Sequence, residues 1–230
     1  MEAPWRWLTG PASCLPDRCF CEHAAAGWPR QAANTWSSLA FVAVAVWVLA
    51  RPRRALTRGL QVAYAGTLIA LGISSWAFHA TLSFAGQWSD VTSMYAYASL
   101  LLSVQLPLCG LIATRHRTLA FIVPTAVSAL LGGVVPASRR VLFDLLLGVA
   151  LLTLALLAYG KWRHVRRRSL QAAFGSLFVA GMAWIADLTH LWCDPTSLLQ
   201  GHAVWHLLTA VAAGCTFSYY REGFSSTVPA

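Results

Sequence analysis

The chain avoids charge for about twenty residues at a time, and it does so repeatedly. An α-helix of that length spans the roughly 30 Å hydrocarbon core of a bilayer, so such blocks read as membrane spans. Seven are present: Trp36–Ala50, Leu60–Phe78, Val91–Thr114, Leu119–Pro136, Val141–Tyr159, Leu170–Asp187 and Leu198–Ser218. The connections between them are short and leave no segment for a soluble domain. Only 11% of the residues are charged and 57% are hydrophobic, whereas a soluble domain carries about 25% charged residues. The expected fold is an all-α membrane protein, a seven-transmembrane-helix bundle. Pro124, Gly132, Gly133 and Pro136 predict a kink in the fourth span.

The first thirty residues contain no apolar run of the signal-peptide type. Three Trp, three Cys and several Pro and Gly make them read as an ordered cap. The chain therefore divides into a cap (1–35), a seven-helix domain (36–220) and a short tail (221–230). The net charge of +9 is distributed along the loops rather than concentrated in a patch. Twelve of the seventeen Lys and Arg fall on one alternating face of the bundle and five on the other. The positive-inside rule then sets the N-terminus outside and the C-terminus in the cytoplasm. These basic residues report topology and contact with anionic lipid heads, and nucleic acid is not an expected partner.

That topology places polar residues from three spans at one depth. The second span ends near His79, the third begins near Asp90, and His202 and His206 open the seventh. The last two are four residues apart and share one helix face. Three histidines that leave a fourth position open are a common catalytic zinc set. A metal lowers the pKa of its bound water, and Asp90 is placed to accept the proton. Ser75 lies one turn before His79 and can orient the water or stabilise an oxyanion. Each residue also has a plainer reading: packing histidines, Asp90 as a helix N-cap, Ser75 bonded to its own helix. Polar groups inside a membrane are costly, and convergence of several favours the metal.

The same residues carry a family resemblance. "SSWAFHATLSFAGQWSDVTSM" resembles the alkaline ceramidase pattern of Ser-x-x-x-His followed by Asp eleven residues on. "WIADLTHLWCDP" with "GHAVWHLLTA", and "CFCEH" with "NTWSSLAF", resemble that family's C-terminal and N-terminal parts. The wider superfamily includes adiponectin-type receptors and GPI-lipid-remodelling proteins. The resemblance implies Zn2+ held by His79, His202 and His206, with Asp90 and Ser75 assisting a water. The implied reaction is hydrolysis of a ceramide-like N-acyl sphingoid base to fatty acid and sphingoid base. It also implies a calcium site in the cap, where Glu22 matches but Cys19, Ala24 and Gln31 replace expected ligands. Calcium prefers six to eight oxygens, so no calcium site is expected.

Cys14, Cys19, Cys21 and Cys193 all fall on the outer face, where disulfides persist. A bridge from Cys193 to Cys21, or alternatively to Cys19, is expected to tie the cap to the loop before the seventh helix; a metal site of Cys19, Cys21 and His23 is the weaker reading. Asp187, with His190 one turn on, is a candidate partner orienting a zinc histidine, or a helix-end acid. Asp144 has no assigned role. The expected protein is a multi-pass membrane hydrolase with its site on the exoplasmic or luminal side. That places it in the plasma membrane of a bacterium, or in an ER- or Golgi-type membrane of a eukaryote. A lipid ester hydrolase, or a seven-span receptor or lipid-binding protein with structural zinc, would use the same residues differently.

Overall fold

The apolar blocks fold as helices because a helix satisfies its backbone groups within one segment, the solution hydrocarbon demands. The computed structural model describes residues 10–14, 19–52, 55–165 and 167–226. Its α-helices are α1 (Ala32–Ser37), α2 (Leu39–Ala50), α3 (Arg58–Thr81), α4 (Phe84–Leu108), α5 (Arg117–Val134), α6 (Arg139–Tyr159), α7 (Arg168–Leu188) and α8 (Gly201–Ser225). Among the described residues the only β pairing is one isolated bridge, Pro11 to Ser83.

Six stretches are long and apolar enough to cross a membrane: Ala32–Ala50, Arg58–Thr81, Phe84–Leu108, Thr114–Val134, Pro136–Tyr159 and Arg168–Leu188. The chain is thus a multi-pass membrane protein by length and composition. α8, the seventh expected span, matches α4 in length at 25 residues. It is less apolar than the six, because it carries His202, His206, Arg221 and Glu222.

The first stretch begins at Ala32 rather than Trp36 and is interrupted at Ser38, between α1 and α2. The Ser38 hydroxyl donates to the Asn34 carbonyl one turn back, a bond that bends helices. α4 begins at Phe84, seven residues before the expected Val91. Its N-cap is Ser83, whose hydroxyl accepts from the Gly86 amide. Asp90 is therefore inside the helix and is not an N-cap. The helix of the fourth block runs through Pro124 and ends at Val134, and Pro136 opens a short 3₁₀ turn.

α2 packs on α3, α3 on α4, and α4 on both α5 and α6; α7 packs on α8, which returns to α1 and α2. α6 and α7 are consecutive in the chain yet make almost no contact with each other. Phe41, Tyr64, Leu68, Leu101, Phe217 and Tyr220 lie in the core between the helices. Leu119, Ile122, Val123, Val127 and Leu130 of α5 point outward, the arrangement of a bundle solvated by lipid. Several buried polar groups in the half remote from the cap satisfy one another, although Ser99 Oγ, Trp162 Nε1 and Tyr219 OH have no partner among the described residues. Tyr64 donates to the Ala213 carbonyl, and Gln105 bonds both Tyr220 and Thr153.

α7 and α8 approach closely at Gly201. A Cβ there would sit 2.5 Å from the Ala183 carbonyl oxygen and 2.9 Å from the Asp187 Cβ. Neither atom is the end of a flexible side chain, so α7 and α8 would have to separate. Gly201→Ala is expected to destabilise the protein by about 1–3 kcal/mol. The measurement is the thermal unfolding midpoint in detergent, which should fall clearly below that of the unsubstituted chain.

Candidate metal centre

The last turn of α3 carries His79, and the first two turns of α8 carry His202 and His206. These helix ends meet under the cap. One nitrogen from each ring falls within 4.8 Å of the others, and the ring centroids are 4.5–5.2 Å apart. All three side chains are buried, His79 with no exposure at all. Three imidazoles converging without a carboxylate between them can hold a metal ion.

Hydrogen bonds decide which nitrogens are free. The Gln31 amide donates through Nε2 to the Glu22 carbonyl, so its Oε1 is turned toward His79 Nδ1, 2.7 Å away. A carbonyl oxygen cannot donate, so His79 carries its proton on Nδ1. Its Nε2 is then a bare acceptor, buried and without a hydrogen-bond partner. His206 is arranged alike: Nδ1 lies 2.9 Å from the Ser37 hydroxyl, and Nε2 faces Ser75 Oγ at 3.4 Å. His202 Nδ1 is also buried and unpartnered. A buried acceptor with no donor is costly, and a cation would satisfy the one that His79 presents.

The cap is folded against this cluster. Phe20 sets its ring edge-on to His79 and His202, at 5.1 and 4.6 Å. Cys21 is joined to Cys193, and Cys19, the other expected partner, is joined to Cys14. The Glu22 carboxylate accepts from the Ala33 and Asn34 amides and so caps α1. Burial pushes the Glu22 carboxyl above the ordinary carboxylate range, with the two amides pulling the other way. Backbone bonds run from Arg30 and Gln31 to the carbonyls of Ala80 and His79, and from His23 to Pro195.

Asp187 is buried and accepts from two backbone amides, those of Cys21 and His202. It therefore steers His202 through the start of α8 rather than through an imidazole. His190 is exposed at the end of α7 and touches none of the three rings. Asp90 is buried beside Ser75. Both line a cavity of about 710 Å³ that also exposes His202 and His206. Its walls are mainly apolar, with Leu71, Leu101, Leu147, Leu151, Leu154 and Phe174 among them, and it lies against the cleft between α6 and α7.

A ceramidase family model matches residues 19–222, most of the chain. The chain belongs to the ceramidase family. No curated protein matches it closely enough to add a nearer relative. Membership supports a hydrolase acting on the amide bond of a ceramide-type lipid, and an apolar cavity beside a triad able to bind metal suits a ceramidase. Gln31, Ser37 and Phe20 were not legible as parts of this site. Gln31 stands where the family pattern led to an acid, and its role depends on a fold that brings the cap onto α3.

The four cap and loop cysteines are expected to form Cys14–Cys19 and Cys21–Cys193, with Cys109 and Cys215 free. Peptide mapping without reductant checks this, and a Cys19–Cys193 peptide would contradict it.

Proposed function

We propose that the chain is an intramembrane, zinc-dependent lipid amide hydrolase that cleaves an N-acyl sphingoid base into fatty acid and sphingoid base. In this reading the bundle crosses the membrane seven times, with the N-terminus and the metal centre on the exoplasmic or luminal side. The observation that carries the zinc assignment is the forced Nδ1–H tautomer of His79. It leaves Nε2 as a lone pair aimed at two further histidines. Zinc bound there would supply a Lewis acid and lower the pKa of a coordinated water.

The chain's own residues do the rest. Asp90 takes the proton from water as its oxygen attacks the amide carbonyl, then delivers it to the nitrogen as the C–N bond breaks. The Ser75 hydroxyl donates to the oxyanion that develops on the carbonyl. Gln31 and Ser37 hold His79 and His206 in tautomer and orientation. Phe20 and the cap cover the cluster on one side and exclude bulk water. The acyl chain lies along the leucine-lined part of the cavity, entering from the bilayer between α6 and α7, where the bundle is not closed by helix contact.

Calcium has no part in this reading. Both Glu22 oxygens are taken by amides, Cys19 is in a disulfide, and Gln31 spends its amide on Glu22 and His79. Hydrogen bonds and two disulfides hold the cap in place instead.

Metal analysis of the purified protein should find zinc, and a panel of lipid amides and esters should yield fatty acid from the amides. His206→Ala should lose the metal. Asp90→Asn should keep it while the rate falls about 10²- to 10⁴-fold. Metal-free active protein would overturn the zinc reading. Zinc-loaded protein inert on every lipid would favour the receptor reading, and release from esters alone an ester hydrolase. Gln31→Ala is expected to weaken zinc binding about 10- to 100-fold, read by competition with a chromogenic chelator. Adding calcium to zinc-loaded, calcium-depleted protein should leave activity unchanged.

A further inference from the structure

The cavity beside the three histidines is walled by α4, α6, α7 and α8, and on each helix its lining stops at a definite residue. Farthest from the cap these are Leu101 on α4, Leu154 on α6, Ala173 on α7 and Thr216 on α8. About one turn beyond, Gln105, Leu157, Leu170 and Tyr220 are buried and no longer line it. Gln105 ties three of the helices together at that level. Its amide donates to the Tyr220 hydroxyl at 2.6 Å, and its carbonyl accepts from Thr153 of α6. Just above, the Thr216 hydroxyl is spent on the Ala212 carbonyl and the Tyr64 hydroxyl on the Ala213 carbonyl. The floor therefore turns hydrocarbon toward the cavity and rests on a layer of paired polar groups. Opening that layer would leave buried groups without partners, which is costly.

Helix rise gives the depth of this floor. Leu101 stands eleven residues beyond Asp90 on α4, and Thr216 stands ten beyond His206 on α8. At about 1.5 Å per residue both intervals come to about 15–16 Å. Two helices thus place the floor at the same distance from the proposed reacting groups. An extended hydrocarbon chain with C–C bonds of about 1.5 Å advances about 1.25 Å per carbon, so about 12–13 carbons span the interval.

We propose that this floor is an acyl-length ruler, in which Leu101, Leu154, Ala173 and Thr216 select lipid amides with acyl chains of about 12–14 carbons. A shorter chain leaves a void above the floor. A longer one must bend back toward the cleft between α6 and α7, where helix contact is nearly absent. Voids and overpacking both cost packing energy. The proposal rests on the lipid amide reading, and deepens it by naming the acyl portion of the substrate.

The test uses the purified, zinc-loaded full chain in detergent and ceramides on one sphingosine base, graded from N-hexanoyl to N-icosanoyl. The kcat/KM should peak between the lauroyl and myristoyl lipids and fall about tenfold by the icosanoyl one. Ala212→Leu, one turn above Thr216, should move the peak about four carbons shorter. Leu101→Ala opens the floor and should move it longer, so either variant reads the ruler should the other fail to fold. Leu130→Ala, on the outward face of α5, should leave the peak in place. The matching free fatty acids, read by the rise in unfolding midpoint, report the same length without turnover. A flat profile, a peak at the octanoyl or stearoyl lipid, or a peak that neither cavity variant moves would overturn the ruler. No product from any ceramide, with a fatty-acid peak that Leu101→Ala shifts, would count against the hydrolase reading and leave the ruler standing. A fatty-acid series without length dependence would overturn the ruler whether or not product forms.

Discussion

Hydrocarbon offers no hydrogen bonds, so a polar group inside this bundle must find its partner within the protein or bind something that serves as one. Away from the cap most buried polar side chains do find partners, as Tyr64, Gln105, Thr153 and Tyr220 do with one another and with Ala213. At the cap end several do not. His79 Nε2, His202 Nδ1 and Arg139 Nη2 are all buried without a partner among the described residues. His79 Nε2 presents a lone pair, since Gln31 holds the proton on Nδ1, and the guanidinium presents a donor. A bound cation would answer the need of His79 Nε2.

The cap is what turns a loose ring of helix ends into a defined site. Gln31 is its most consequential residue, since one amide fixes the Glu22 backbone and the tautomer of His79 together. Asp187 does a comparable job from the other side, joining the cap at Cys21 to the start of α8 at His202. The Cys21–Cys193 bridge runs parallel to that bond, so covalent and polar links secure the same junction. Support of this kind holds the histidine nitrogens at separations a single ion could span.

Much of the fold was readable from charge spacing, because avoiding charge for a helix length has one structural meaning in a bilayer. The grouping of His79, His202, His206 and Asp90 also followed from alternating span direction, which puts odd and even helix ends on opposite faces. Boundaries were less readable. α4 begins seven residues early because Ser83 caps it well, although "FAGQWSD" is not apolar enough to look like a span. The polar supporters Gln31, Ser37 and Ser38 are ordinary loop and helix-start residues in sequence. Their role arises only when α1 lies against the ends of α3 and α8.

By itself the sequence pointed to a helical membrane protein and to His79, His202 and His206 as residues that converge at one end of the bundle. These follow from composition and direction, which are local or additive properties. Tertiary structure alone decided which His79 nitrogen is free, that α6 and α7 stand apart around a cavity, and that the Arg139 side chain is bonded to Ser13 of the cap. Those depend on the mutual placement of residues such as Ser13 and Arg139, 126 positions apart. No spacing rule carries that distance, because it is set by how the helices pack.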